Sequence, residues 1–131
     1  MTTTCGLWLT KRRLVAALLG PDGATHRIIR SAHTADARFG LLEYLAPVEA
    51  EIVAAEALAR GDLFPQQAAR RGLVVWTAGD GLVAALLRAA AIRDPARAAA
   101  LLARLPRIAI LRASLRRLVP HDIQARQLPL I

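Results

Sequence analysis

The side chains best suited to chemistry in this sequence are its basic ones. Lys11 is the only lysine, and every other cation is an arginine. Between Asp94 and Asp122 there is no acid, while Arg97, Arg104, Arg107, Arg112, Arg116 and Arg117 supply six cations. Lys11-Arg12-Arg13 forms a second cluster. A guanidinium is a planar fork that meets a phosphate through two donors at once. Such contacts give an affinity that falls with salt and is largely blind to base sequence. No aromatic residue interrupts the run from 97 to 117, so stacking on unpaired bases is not supported. A solvated helix face, or a bias toward Arg and Ala codons, would produce the same run without any nucleic acid.

Other chemistries are poorly served. His26, His33 and His121 are scattered, without Cys or carboxylates at metal-ligand spacing. Ser31 and Ser114 lack the context of a nucleophile elbow. Cys5 is the only cysteine, which excludes a disulfide framework and a thiolate cluster and fits a reducing, cytoplasmic setting. It reads as a small hydrophobe. Gly79-Asp80-Gly81 is too short for a phosphate-binding loop, so ATP binding is not expected. No cofactor or metal is expected.

The 131 residues suit one domain spanning 1–131, and 55% of them are hydrophobic, with mean hydropathy +0.35, which excludes a disordered chain. With aromatics at only 4%, the core must be aliphatic and alanine-rich. The net charge of +8 draws polyanions but does not bear on fold. No run reaches the roughly 18 apolar residues of a membrane span. Lys11–Gly20 resembles a signal peptide only faintly, since no cleavage site follows, so it is read as mature protein.

These residues have to be positioned by local elements. Residues 5–10, 13–19 and 24–33 are three short runs, the last two separated by the turn chemistry of Gly20-Pro21-Asp22-Gly23, and they predict an antiparallel meander. Thr34 caps a helix over 35–46, with an apolar stripe of Phe39, Leu42 and Leu45–Ala46. Residues 49–60 are ambiguous: local propensity and a Glu56–Arg60 pair favour a helix, whereas Ile52–Ala57 would also make a buried strand. A short helix over 62–71 ends at Gly72, and 73–77 is the clearest strand. Asp80 is expected to cap a helix over 81–92, and Asp94-Pro95 opens another to Leu105. Residues 107–118 predict an amphipathic helix with Ile108, Leu111, Leu115 and Leu118 on one side, and the tail beyond it looks extended.

A meander followed by alternating helices and strands makes a mixed-sheet α/β domain. In this order the elements resemble the RNase H-like fold in its RuvC-like form, and in particular the N-terminal domain of DEDD-type insertion-sequence transposases. That family opens with a Gly-x-Asp-x-Ser-Lys strand, to which Gly6-Leu7-Trp8-Leu9-Thr10-Lys11 corresponds. A strand ending in Glu corresponds to Ile52–Glu56. A Thr-Asp-x-x-Asp segment corresponds to Arg93-Asp94-Pro95-Ala96-Arg97. The resemblance covers about 5–105, leaves 106–131 as a basic helix and extended tail, and implies a three-layer fold in which 51–57 is the central parallel strand.

The departures from the family pattern imply more than the matches. Its clustered carboxylates hold two divalent ions around the scissile phosphate. Here Trp8 replaces the first acid, Glu56 is retained, Asp94 matches the third, and Arg97 stands where the fourth would be. One or two carboxylates do not make a two-metal centre, so residual nuclease activity would need Glu56 and Asp94 to recruit another. The resemblance therefore implies a non-catalytic pseudo-nuclease, not an enzyme. It would bind nucleic acid, with DNA favoured, or a nucleoprotein assembly, through Lys11, Arg12, Arg13, Arg107, Arg112, Arg116 and Arg117. Lacking the transposases' further domain, it is not expected to transpose independently. The alternative is a protein-interaction module or homodimer docking through Ile108–Leu118 and the Leu128–Ile131 tail, with no membrane partner in either case.

Overall fold

Arg13–Leu19 is apolar at six consecutive positions, and a strand without polar positions must be covered on both faces. The computed structural model, which describes residues 2–120, provides that cover. Strands β1 (Thr4–Leu9), β2 (Arg13–Leu19) and β3 (Thr25–Ala32) form the meander, followed by α1 (Ala35–Leu45), β4 (Glu51–Ala55), α2 (Glu56–Gly61), α3 (Phe64–Arg70) and β5 (Val75–Ala78). Helices α4 (Asp80–Ala89) and α5 (Pro95–Arg104), a 3-10 turn at Leu105–Arg107, α6 (Ala109–Arg112) and β6 (Arg116–Arg117) complete it. The sheet order is β3-β2-β1-β4-β5-β6. β1 pairs antiparallel with β2 and parallel with β4, β4 and β5 are parallel, and β6 runs antiparallel to β5.

Strand alternation sorts the side chains into two cores. Cys5, Leu7, Leu14, Ile52 and Val75 pack against Leu41, Leu45 and Phe64 of α1 and α3. On the other face Val53 and Ala78 meet Val83 and Leu102, while Val15 and Ala17 meet Ala99. The molecule is thus three layers, with helices on both faces of a mixed sheet. Burial pushes the Cys5 thiol up to about 12, which fits a small hydrophobe and not a nucleophile. Among the described residues no helix is long and apolar enough to cross a membrane.

The ambiguous stretch 49–60 divides. Residues 51–55 form the strand between β1 and β5, and helix begins at Glu56. Ile52 and Val53 are fully buried there. Each such burial contributes roughly 1.5–3 kcal/mol, against helix-propensity differences of less than about 0.7 kcal/mol per residue. Pairing wins where both faces are covered, and propensity prevails in the residues that follow.

Three expectations need correction. The stripe on α1 is rotated: Phe39 is 61% exposed, and Arg38, Leu41, Leu42 and Leu45 face inward. Asp80 is not a cap, because Gly79 takes that position and the Asp80 carboxylate accepts from the Ala57 amide at 3.0 Å. Residues 107–118 do not form one helix. A single turn, Ala109–Arg112, is followed by β6, and the Leu118 amide donates to the Val75 carbonyl at 2.7 Å. The open edge of β5 offers unpaired backbone groups, and pairing there satisfies them. The supposed stripe is dispersed, with Leu115 in the core below α4 and α5, Leu118 against the opposite core, and Ile108 exposed. The expected extended tail lies largely outside the described residues.

Candidate functional site

β1 leads to β2 on one side, while β4 pairs with it on the other, so the sheet has a switch point between β1 and β4. Crevices at the carboxyl ends of strands at such points are where open α/β sheets bind ligands. Here the crevice is a cavity of about 320 Å³ lined by Trp8, Leu9, Leu58, Val83 and Leu87, with Asp80 as its acid. Trp8 lines it and packs into both parts of the core below α4 and α5.

Around this crevice the acids are already engaged. Arg60 lies 3.7 Å from Glu56 and 3.4 Å from Asp80, one guanidinium between two carboxylates. Both contacts are exposed, so each is worth at most about 1 kcal/mol. Asp94 is the N-cap of α5 and accepts from the Arg97 amide at 3.0 Å, while the Arg97 side chain is exposed. Among the described residues no group of three or more His, Cys, Asp or Glu side chains could hold a metal ion. Asp94→Ala is expected to cost about 1 kcal/mol, the usual value of such a cap, read as a lower urea midpoint.

The basic residues fall into two sets, one at the β1–β2 turn and the other on the 107–117 segment, which starts at the opposite end of β1. Lys11, Arg12 and Arg13 are exposed at the β1–β2 turn, beside the crevice. The turn is tightly held: the Thr10 hydroxyl accepts from the Arg12 and Arg13 amides at 3.3 and 3.0 Å. His33 meets the Thr10 carbonyl through Nε2 at 2.8 Å and the Arg38 guanidinium through Nδ1 at 2.6 Å. That pattern puts the ring hydrogen on Nε2. Arg38 in turn reaches Ser31, Ala32 and Asp62, so the cationic turn rests on a polar network that runs from the exposed His33 to the buried Arg38.

At the other end Arg107 is committed to the fold, donating to the Thr4 hydroxyl and to the Thr2 and Leu19 carbonyls, each at 3.1 Å. Arg112 stacks 5.0 Å from the Trp76 ring and donates to the Pro106 carbonyl at 3.0 Å. Its head is 3.8 Å from Glu51, which also accepts from the Trp76 indole at 2.8 Å. Burial pushes the Glu51 carboxyl up, but the bonds from Trp76 and Thr2 and the charges of Arg112 and Arg117 outweigh it, leaving a net lowering. Arg116 and Arg117 are exposed neighbours on β6, so their side chains point to opposite faces. The six cations between Asp94 and Asp122 therefore do not share one face.

Sequence reasoning missed two features. Asp80 belongs to the crevice because the chain brings α4 over the strand ends, which no local pattern announces. Arg38 belongs to no motif in the sequence, and its partner Asp62 lies 24 residues away.

These features define a three-layer α/β protein with an apolar crevice at its switch point and a cationic hairpin turn beside it. No protein-family model matches the chain, and no curated protein sequence matches it.

Proposed function

We propose that the chain is a non-catalytic, RNase H-like domain of transposase-like ancestry that binds nucleic acid, DNA in preference, or a nucleoprotein assembly in the cytoplasm. The observation that carries this reading is the position of Trp8. It stands at the switch point of a sheet whose meander and parallel strands run in the order the resemblance implies. The resembling enzymes place a metal-bridging acid there, and an indole offers a divalent ion no oxygen. The cationic turn at Lys11–Arg13 survives beside it, so phosphate attraction is retained where the acids are not.

The test is fluorescence anisotropy of labelled single-stranded, duplex and four-way-junction DNA over a salt series. Binding is expected to weaken by roughly 10³-fold between about 50 and 200 mM salt if six phosphates are neutralised. Absence of binding at low salt overturns the proposal.

A second reading, docking of a protein partner, rests on Ile110, which is 84% exposed beside the half-exposed Ile108. Apolar docking would persist at high salt.

A further inference from the structure

The acids of this chain are distributed unevenly over the sheet. Strands β2 and β3 and helix α5 contain none, whereas Asp36, Glu43, Glu51, Glu56, Asp62 and Asp80 all lie on or beside α1, α2, α3, β4 and α4. Among the described residues the acids at the ends of these elements are Asp94, used as the cap of α5, and Asp22, in the turn at the far end of β2.

The register places the cations of that region together. Val15 pairs with Arg30, and Ala17 with Ile28. Directly opposed residues share a face, and Arg13, two positions before Val15, shares it too. That face is the one α5 covers, since Val15, Ala17 and Ile28 pack with Ala96, Ala99 and Ala100. Helix α5 turns Ala99, Leu102 and Ala103 to the sheet and leaves Arg97 and Arg104 exposed. Those two arginines are seven residues apart and so lie on one side of the helix. Its first turn sits at the Trp8 and Val15 end, beside the Lys11–Arg13 turn, because the chain leaving its last turn reaches Thr4 and Leu19 through Arg107. Lys11, Arg12, Arg13, Arg30, Arg97 and Arg104 make no ion pair among the described residues.

We propose that this corner, and not the 107–117 segment, is the surface that grips a nucleic acid, and that its ligand is the phosphate backbone of a duplex. The inference rests on the nucleic-acid reading above. Charge complementarity carries it: unpaired cations rise from a hairpin turn, an edge strand and a helix, with no acid among them, of the described residues, except a cap. Duplex is favoured over single strand because no exposed aromatic interleaves these cations. The exposed Phe39 and Tyr44 both lie on α1, across the sheet. The rigid turn adds to affinity by limiting the entropy lost on contact.

The experiment is anisotropy of a labelled duplex of about 20 base pairs over a salt series, with two double variants of the full chain. Each variant is first checked for an unchanged thermal melt. Arg30→Gln/Arg97→Gln is expected to weaken binding by roughly tenfold per contact at about 0.1 M salt and to flatten the log–log salt slope by about two. Arg116→Gln/Arg117→Gln is expected to change both by less than half as much. If wild type binds duplex but only the second variant weakens it, the corner is wrong while the nucleic-acid reading stands. If wild type binds no nucleic acid at low salt, both fall together. Equal or tighter binding of the matching single strand, or equal competition by polyglutamate, overturns the duplex assignment.

Discussion

Gly6→Ala is expected to destabilise the protein by about 3 kcal/mol, the upper end of what overpacking usually costs, or to prevent folding altogether. Helix α5 crosses β1 so closely that a Cβ at position 6 would collide with the Ala99 carbonyl and lie 2.6 Å from the Ala103 amide nitrogen. Those obstacles are backbone atoms of a helix, which do not swing aside as a side chain would. Neither Ala99→Gly nor Ala103→Gly should therefore rescue the variant. Relief requires the whole helix to lift, and Leu102 and Ala99, both fully buried, would leave the core with it. Urea unfolding followed through Trp8 and Trp76 fluorescence reads the effect. Gly40→Ala is the control: that glycine lies in α1 with open space at its Cβ position, and relief of glycine's helix penalty should raise stability by about 0.5–1 kcal/mol. A Gly6→Ala midpoint equal to wild type would show that α5 is held less tightly than its approach to β1 indicates.

Gly6 also marks how far the sequence could be read. Its place in an opening strand was legible, as were β2, with matching ends, and the caps Thr34 and Asp94, because strand pairing and capping leave short-range signals. What it faces was not legible, since Ala99 is 93 residues away and small-residue contacts have no sequence period. The same holds at the C-terminal end. Ile108, Leu111, Leu115 and Leu118 have helical spacing, yet pairing with β5 divides the three leucines between two cores and leaves Ile108 exposed. The arginine run misleads for a related reason. Spacing along a chain becomes a surface only through an element, and the helix that would have aligned those side chains does not form. Arg107 and Arg112 instead bind carbonyls and an indole. The cations that the fold adds to the Lys11–Arg13 turn come from β3 and α5, where Arg30 and Arg97 are 67 residues apart.

Arg38 and Asp62 carry the other large expected effect. Their heads meet at 2.8 Å with side chains 10% and 13% exposed, and Arg38 also satisfies the Ser31 hydroxyl, the Ala32 carbonyl and His33. Arg38→Leu leaves those acceptors without their donor and a nearly buried carboxylate uncompensated, which should cost about 3–5 kcal/mol. Asp62→Asn keeps the size and the acceptor for the Phe64 amide, which sits at 2.8 Å, and should cost less. The two losses share one interaction, so the double variant should fall short of their sum by at least about 1 kcal/mol. Acid provides an independent readout. Burial raises the Asp62 carboxyl, but the Arg38 bond, the Phe64 amide and the Arg38 charge overcome this and hold it below the usual value of 3.8. Between the lowered folded value and the ordinary unfolded one, the unfolded chain binds more protons, so stability rises with pH across that window. The contribution is complete above the ordinary carboxylate range and is lost as pH falls through the folded value. The urea midpoint of wild type should therefore drop on acidification below about pH 4. Asp62→Asn should drop less steeply, retaining only the share from Glu51 and Glu43, which are lowered in the same direction. Identical acid slopes for the two proteins would mean that the pair is not formed as an ion pair in solution, and the support it gives the Lys11–Arg13 turn through His33 would fall with it.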